Sequence, residues 1–396
     1  MIRYRSDHSI VHCPQTHEKE ETNQLRDTTP KSERQVGTPS AASTVQWHIL
    51  LARLVLVTAS CCVFAAHIAP SKELSDPGGS SHLSSSQLSR QQEIRYDCPP
   101  SLPSASSSPK EEFPSSFVKF YDEPSNKLLQ AIQTNSTNFL KVYRKISVDS
   151  WTSTYEEFKL ALKEWKIRHF APVFSNPHAN YKIYESASGI GLNLALTVEI
   201  LNETLSALYQ SIELHGSDYV ASSVQVAQIL YQQERLVEPY QSRMGQFCTA
   251  GSTNLQHVPS NTFDLVFTGY ITPLLDPLNI APHLETKHDM DVAYHDICNN
   301  QHNQSNVALI KQMQQKQEEY YSQWIGEMIR IAQPGAPVIV ESVSLPHCAA
   351  LEDWGGVSRE FWKAHMSQWP VQANSLDFGI DKIHPGRYHV YFRKDR

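Results

Sequence analysis

The chain has 396 residues and a formal net charge of −7, from 34 basic and 41 acidic side chains. This mild acidity, without any basic run interleaved with aromatic residues, argues against nucleic acid as the main partner. The seven cysteines include no CxxC pair, so the sequence does not indicate a structural zinc site, and we assign no metal ligands.

The N-terminal third of the chain is mostly polar, and only residues 113–396 have the density of aromatic and branched side chains that a core needs. Residues 1–46 are mixed in charge and predict a disordered tail. Residues 47–69 form the one long apolar run, close to the roughly 20 residues that a helix needs to cross a bilayer. Residues 70–112 are rich in Ser, Pro and Gln, which is typical of an extended stem.

We interpret segment 47–69 as a transmembrane signal anchor that places the C-terminal domain in an endomembrane lumen, such as that of the ER or Golgi. Trp47 suits the membrane interface, and Arg53 lies close enough to the N-terminal end to reach the headgroups. Pro70 disfavours signal-peptide cleavage directly before it. A cleaved signal or transit peptide and a buried core helix stay open as alternatives.

Residues 113–180 predict a helical extension, and residues 181–396 predict a domain in which strands alternate with helices. Strands are predicted at 182–185, 211–215, 246–249, 263–268, 337–343, 376–383 and 388–394, the last two as an antiparallel pair. Helices are predicted at 118–143, 155–169, 192–209, 219–231, 308–331 and 352–368. This alternation predicts a doubly wound α/β fold with a mostly parallel, seven-stranded sheet.

Residues 181–196, YKIYESASGIGLNLAL, place a short apolar strand, an acid and a small-residue turn directly before a helix. This is the arrangement of a nucleotide-binding first strand–turn–helix unit. The turn residues have almost no bulk, so their backbone can approach a ligand closely: Ala187, Ser188, Gly189 and Gly191. A dinucleotide site has a third glycine where this chain has Leu194, which counts against NAD or FAD.

The residues that begin at Glu185, ESASGIG, resemble the first motif of the class I S-adenosylmethionine-dependent methyltransferases, an acid followed by alternate glycines, with Ala187 at the first glycine position. Further segments resemble that family in the same order. NTFDLVFTGY looks like its fourth-strand motif, EMIRIAQPGAPVIVESV like its helix–turn–strand, and YHVYFRK like its last strand. The resemblance covers residues 182–394 and points to a member similar to the type 11 methyltransferases.

The resemblance implies S-adenosylmethionine as the cofactor and a Rossmann-like sheet that binds it at the carboxyl ends of the strands. It implies that Asp218 binds the ribose hydroxyls, that Tyr219 packs on the adenine, and that Ser252 and Thr253 face the adenine amino group. The cofactor-binding residues expected on this basis are Glu185, Ala187, Ser188, Gly189, Gly191, Asn193, Asp218, Tyr219, Ser252, Thr253, Thr268 and Tyr270.

The segment HLETKHDMDVAYHDIC, after the fourth strand, is dense in ionisable residues. In a methyltransferase it would border the pocket of the methyl acceptor, whose class the sequence leaves undetermined, and His295 is a weak candidate for a general base. Asp289 and Asp291 form an Asp-x-Asp that suits a divalent metal, so a Golgi-type glycosyltransferase is the alternative enzyme. A catalytically silent cofactor-binding module is the third interpretation.

The cysteines after the apolar segment can form disulfides if the domain is lumenal. They are Cys98, Cys248, Cys298 and Cys348. Cys248 lies in a strand expected to be central, where we expect a small buried residue rather than a bonded one.

Overall fold

The computed structural model describes residues 95–100, 125–131, 154–174, 180–205, 211–232, 242–269, 278, 294–346, 348–349, 355–384 and 386–396. All of them belong to one compact unit, Ser89–Arg396. Within this described part, none of the helices has the length and hydropathy needed for a bilayer span. Segment 47–69 lies outside the described residues, so the signal anchor stays a prediction.

The elements are α1 (Tyr155–Phe170), β1 (Asn180–Ser186), α2 (Leu192–Leu205), β2 (Ser211–Asp218), α3 (Ala221–Gln232), β3 (Ser242–Thr249), β4 (Leu265–Thr268), α4 (Gln304–Ile331), β5 (Pro337–Val343), α5 (Arg359–His365), β6 (Asp377–Ile380) and β7 (Tyr388–Arg393). Residues 125–131 and 294–299 are also helical.

The strands form one seven-stranded sheet in the order β3-β2-β1-β4-β5-β7-β6. β1 to β5 are parallel to one another, whereas β7 is antiparallel to both β5 and β6. β6 therefore runs in the same direction as β5, and the carboxyl ends of β1 to β6 lie at one edge of the sheet. The predicted α/β fold with a mostly parallel seven-stranded sheet is confirmed.

Helices cover both faces of the sheet, because successive side chains of a strand point to opposite faces. Ile183 of β1 packs with Leu194 of α2 in a core that α1, α2 and α3 share. Its neighbour Tyr184 packs with Trp324 of α4 in a second core on the other face, which α5 completes. Both cores pack closely against β1 and β4, so the central strands are held in place and their carboxyl ends stay in register.

Three sequence predictions of element position are corrected. β2 continues through Gly216 to Asp218 instead of ending before Gly216, because Gly216 pairs in parallel register with Glu185 of β1. The predicted helix over 352–368 is only Arg359–His365 in the described residues, and Ser358 caps its start by accepting from the Phe361 N–H at 3.2 Å. β3, expected to be central, is an edge strand of the sheet.

Cys248 of this edge strand is bonded to Cys98, so the expectation that it is merely a small buried residue is wrong. An edge position explains the bond, because one side of β3 is open to a segment from elsewhere in the chain. Segment 95–100 packs against β2 and β3 beside this bond. Tyr96 is buried there, its N–H donates to Gln246 Oε1 at 2.8 Å, and its hydroxyl lies 3.2 Å from His215 Nδ1.

Candidate functional site

The turn after β1 has the backbone conformation that its small residues predict. Ala187, Gly189 and Gly191 have φ angles of 54°, 51° and 80°, in the left-handed region that favours glycine. Ser188 donates its N–H to Ser217 O at 2.9 Å and accepts from the Gly191 N–H at 2.8 Å. Ala187 thus adopts a conformation that suits the glycine it replaces, so the alanine does not redirect the turn.

The two glycines of this turn face different surroundings. A β-carbon on Gly189 would meet no described atom within 4 Å, so this position opens onto empty space. A β-carbon on Gly191 would lie 3.2 Å from the Tyr231 ring and 3.3 Å from Ala227 Cβ, both on α3. Gly191 therefore permits close packing of α3, whereas Gly189 leaves room for a ligand beside the backbone.

Asp218, the last residue of β2, braces the turn. Its Oδ2 accepts from the Gly189 N–H and its Oδ1 accepts from the Val220 N–H, each at 2.8 Å. Burial raises the pKa of Asp218, and these two backbone hydrogen bonds oppose that effect. Each carboxylate oxygen can accept a second hydrogen bond, so the side chain can brace the turn and still bind a hydroxyl.

Glu185 near the end of β1 is a buried acid whose second oxygen has no partner. The residue is 1% exposed, and Oε2 makes no hydrogen bond within the described part of the chain. Burial raises its pKa well above the ordinary value; Lys166 and a hydrogen bond from Asn193 oppose this, while Glu341 and Asp218 add to it. A carboxyl group in this state gains strongly from a cationic ligand, because the cation restores the charged form.

A buried ion pair that the sequence did not reveal supports Glu185. Lys166 of α1 is fully buried, and its Nζ lies 2.8 Å from Glu341 Oε1 and 3.0 Å from Oε2. The Asn193 amide donates to Glu341 Oε2 at 2.9 Å and also hydrogen-bonds Glu185. Asn193 therefore bridges the two acids. The only sequence signal for Glu341 is an acid within the apolar run PVIVESV.

Five buried polar side-chain atoms near the carboxyl edge of the sheet have no hydrogen-bond partner in the described chain. They are Glu185 Oε2, Ser188 Oγ, Asn193 Oδ1, Thr268 Oγ1 and Ser344 Oγ. Each such atom costs about 1–3 kcal/mol when it is left unsatisfied. Their grouping at the ends of β1, β4 and β5 fits a site for a polar ligand that supplies the missing partners.

Gly269, which directly follows β4, is a site residue that sequence reasoning missed. A β-carbon there would lie 2.6 Å from Asn193 Nδ2 and 3.1 Å from Glu185 Oε1. Any side chain would displace the amide that bridges the two acids, so only glycine fits. A small residue immediately after a buried strand was the available signal. Tyr270, the next predicted site residue, lies outside the described residues.

The other predicted residues are distributed along the same edge. Tyr219 is partly exposed directly after β2, and Ser252 is buried beside a partly exposed Thr253 in the turn after β3. The Ala250 N–H donates to the Asp218 carbonyl oxygen at 2.9 Å, which brings the ends of β2 and β3 together.

His295 lies in the helical residues 294–299 and forms no hydrogen bond with any site residue described above. The nearby Cys298 is bonded to Cys348, so the segments that follow β4 and β5 are covalently joined. Asp289 and Asp291 lie outside the described residues, and the glycosyltransferase alternative stays a prediction.

A cavity of about 300 Å³ lies at the opposite, amino edge of the parallel strands and is a different feature from this site. Lys394 on its wall donates to Asn261 Oδ1 at 2.6 Å and to the carbonyl oxygens of Arg330 and Ala332. The Arg330 guanidinium is held by Glu327 and by backbone carbonyls. These cations stabilise the end of α4 and have no donor left over for a ligand.

No protein-family model and no curated protein matches the chain. Among solved structures, a possible exported protein from Bordetella parapertussis is similar to this chain at 12% sequence identity. The alignment covers 61% of this chain and 67% of the Bordetella protein, and its TM-score is 0.36. Magnesium protoporphyrin IX methyltransferase from Synechocystis PCC 6803, with bound SAM, aligns at 12% identity with 60% of this chain and 79% of its own, with a TM-score of 0.33.

CurJ carbon methyltransferase aligns at 11% identity with 69% of this chain and 71% of its own, with a TM-score of 0.33. At such low identities and TM-scores these likenesses carry no argument about the reaction, which is inferred below from the residues of this chain.

Proposed function

We propose that the protein is an S-adenosylmethionine-dependent methyltransferase. The observation that carries the proposal is buried Glu185, whose Oε2 has no hydrogen-bond partner in the described chain, beside a glycine turn that Asp218 holds by a hydrogen bond. A ligand that fits has a cationic end next to Glu185 and vicinal hydroxyls next to Asp218. Its middle part is narrow enough to lie against the backbone of Gly189. S-adenosylmethionine combines these groups, with an ammonium, a sulfonium and a ribose.

In this proposal different residues bind different parts of the cofactor. Glu185 and Asn193 would hold the amino-acid end, and the turn at Gly189 would lie against the chain that leads to the sulfur. Asp218 would accept from the ribose hydroxyls with charge-assisted bonds. The expected contacts of Tyr219, Ser252 and Thr253 with the adenine remain part of the proposal, as do those of Ala187, Ser188, Gly191, Thr268 and Tyr270 with the cofactor.

When bound, the cofactor would supply a methyl group on a positively charged sulfur that is itself the leaving group. The protein's own residues then have to orient the cofactor and exclude water. Glu185 and Glu341 neutralise positive charge near the methionine end, and Lys166 keeps the two acids from repelling each other. Ser344, which follows β5, would border the path by which an acceptor reaches the open edge of the sheet.

The test is isothermal titration of the full chain in detergent, first with S-adenosylmethionine and then with a sugar nucleotide plus Mn²⁺. We expect heat with the sulfonium ligand, retained in Asp395→Asn and lost in Glu185→Ala. Absence of heat with S-adenosylmethionine would overturn the proposal. Heat only with the sugar nucleotide would instead favour the glycosyltransferase, through Asp289 and Asp291.

We further propose that segment 47–69 anchors the protein in an endomembrane with the C-terminal domain in the lumen. The two disulfides, Cys98–Cys248 and Cys298–Cys348, support an oxidising compartment. Extraction of membranes with alkaline carbonate tests the anchor, because a spanning helix stays in the pellet. A chain that is released to the supernatant would contradict it.

A further inference from the structure

A polar cluster that the proposed cofactor contacts do not use lies beside the site, in the loop between β6 and β7. β6 runs parallel to β5, so this loop starts at the same sheet edge as Glu341. Arg387 of the loop approaches the Ser342 carbonyl oxygen at 3.5 Å, and a β-carbon on Gly386 would contact Leu345 at 3.6 Å. The loop therefore packs against residues that end and follow β5.

Asp381 is the centre of this cluster. Its side chain is 3% exposed, and its Oδ2 accepts from Ser342 Oγ at 2.5 Å and lies 3.1 Å from His384 Nδ1. Its Oδ1 accepts from the backbone N–H groups of Ile383 at 2.8 Å and His384 at 3.0 Å. Burial acts to raise the pKa of Asp381, but these hydrogen bonds outweigh it and the pKa lies well below its ordinary value.

Ser342 links this cluster to the cofactor site, since it directly follows Glu341. It has a φ of 56° although it is a buried non-glycine residue at the end of a strand. Such a conformation costs roughly 1–2 kcal/mol. Its N–H donates to His389 Nδ1 at 3.0 Å, so the hydroxyl and the N–H of Ser342 are both fixed. Strain that is held in this way is typical of functional positions.

His384 extends outward from the buried acid. Its side chain is 21% exposed, against 3% for Asp381. Because an ionised carboxylate only accepts hydrogen bonds, the imidazole proton belongs on Nδ1, and Nε2 is then the basic nitrogen. A buried carboxylate that fixes the tautomer of a more exposed histidine is the arrangement of a general base.

We propose that His384, oriented by Asp381, is the catalytic base of the proposed methyltransferase and that the methyl acceptor is an alcohol or phenol hydroxyl. An O–H group must lose its proton to become a good nucleophile and therefore needs a base. A carboxylate has already lost its proton and needs none. His384 Nε2 takes the proton while the acceptor oxygen bonds to the methyl carbon. The carbon–sulfur bond breaks and its electron pair stays on sulfur, which gives a methyl ether, a neutral thioether and an imidazolium.

This proposal rests on the proposed function, and its first test needs no acceptor. Long-range ¹H–¹⁵N NMR of the full chain labelled with ¹⁵N-histidine reports which ring nitrogen carries the proton. The His384 signals are those missing in His384→Gln. We expect the Nδ1–H form at mildly alkaline pH and a mixture of tautomers in Asp381→Asn. A dominant Nε2–H form in the unsubstituted chain would overturn the proposal.

The second test measures transfer of tritiated methyl groups to a series of phenols of increasing pKa at one pH. With His384→Gln we expect a loss of about 10²-fold for weakly acidic phenols, the usual scale of general-base catalysis, and little loss for phenols that are already ionised. Asp381→Asn should follow the same trend, and exposed His302→Gln should not. Affinity for S-adenosylmethionine should stay unchanged in all three variants.

Equal activity of His384→Gln on every phenol would overturn the role of His384. Absence of transfer both to every phenol and to a matching series of alcohols, with the cofactor bound, would overturn the assigned acceptor class. If the unsubstituted chain does not bind S-adenosylmethionine at all, the proposed function itself fails, and the titration described above detects that separately.

Discussion

Lys166 and Glu341 are separated by 175 positions in the chain, yet Lys166 Nζ and Glu341 Oε1 lie 2.8 Å apart in the interior. Their side chains are 0% and 2% exposed. The pair fixes α1 to the end of β5 and holds the amide of Asn193 between two acids. It is therefore a structural support of the proposed cofactor site.

Lys166→Met should lower the free energy of unfolding by about 3–5 kcal/mol, because it leaves Glu341 as an unpaired buried acid. Adding Glu341→Gln to that variant should restore most of the loss. Lys382→Met is the matched control, since Lys382 Nζ also lies 2.8 Å from an acid, Glu164, but in an exposed pair. Its effect should stay below about 1 kcal/mol. Denaturant unfolding measures all of these, and equal losses in the two single variants would contradict the prediction.

The two glycines of the turn should respond differently to alanine. Gly189→Ala should cost about 1–2 kcal/mol of stability from its left-handed backbone and should weaken S-adenosylmethionine binding strongly, because the methyl group enters the open space. Gly191→Ala should cost more stability, since its methyl group also presses on Tyr231 and Ala227. Thermal unfolding and titration calorimetry separate the two effects. A larger loss of affinity than of stability at Gly191 would reverse this assignment.

Asp218→Asn should weaken both the turn and cofactor binding. The amide of asparagine would direct its NH₂ group toward the N–H of either Gly189 or Val220, so one hydrogen bond becomes a contact between two donors. The lost backbone hydrogen bond should lower the free energy of unfolding by roughly 1.5–3 kcal/mol, and the affinity should fall at least tenfold if a ribose hydroxyl also loses a charge-assisted bond of that size. Asp395→Asn, exposed near the C-terminus, is the control. Unchanged binding by Asp218→Asn would remove this residue from the site.

Cofactor binding should release a proton from Glu185. Burial raises the pKa of Glu185 well above its ordinary value, so at pH values between the two the free protein holds a proton that a bound cation would expel. Calorimetry in two buffers with different ionisation enthalpies measures the release, which should be absent in Glu185→Gln. Exposed Glu360→Gln is the control and should release as many protons as the unsubstituted chain. Equal heats in both buffers at several pH values would argue against the prediction.

The same raised pKa makes the stability of the unliganded protein depend on pH. The folded chain keeps the proton of Glu185 at pH values where the unfolded chain has lost it. Stability is therefore greatest below the ordinary carboxyl pKa and falls as the pH rises through the raised value. Glu185→Gln should lack this fall, and its free energy of unfolding should exceed that of the unsubstituted chain at alkaline pH. Urea unfolding across that pH range tests the sign.

Removal of the Cys98–Cys248 bond by serine at both positions should lower the free energy of unfolding by about 2–5 kcal/mol. Peptide mapping without a reducing agent should recover both this link and the one between Cys298 and Cys348. Complete alkylation of the four cysteines in the purified chain before reduction would show that the bonds are not made in the cell.

Local patterns in the sequence were sufficient for the sheet and for the glycine turn. Apolar runs at the right spacing predicted the strands, and ESASGIG predicted a turn whose residues do adopt positive φ angles. Such features depend on near neighbours in the chain, so a single sequence carries them. The strand order was not predicted, and β3, which was expected to be central, lies at an edge of the sheet.

Features that depend on distant residues could not be predicted. The sequence shows Lys166 only as a basic residue in a helix and Glu341 only as an acidic residue in a strand. Nothing in the sequence indicates that they form a pair. Cys248 looked like a core residue because an edge strand and a central strand have similar composition. The cluster around Asp381 lies in a loop whose residues have no motif, and only the fold brings Ser342 to it.

The bond between Cys98 and Cys248 also decides which parts of the domain can be stretched. β1, the glycine turn, α2, β2 and α3 all lie within the 150-position separation that it closes. Tension applied at the N-terminus, as a tether would apply it, passes from one sulfur to the other and bypasses those elements. The mechanical load then falls on β4, β5 and β7, while β1, the glycine turn and β2 carry none of it.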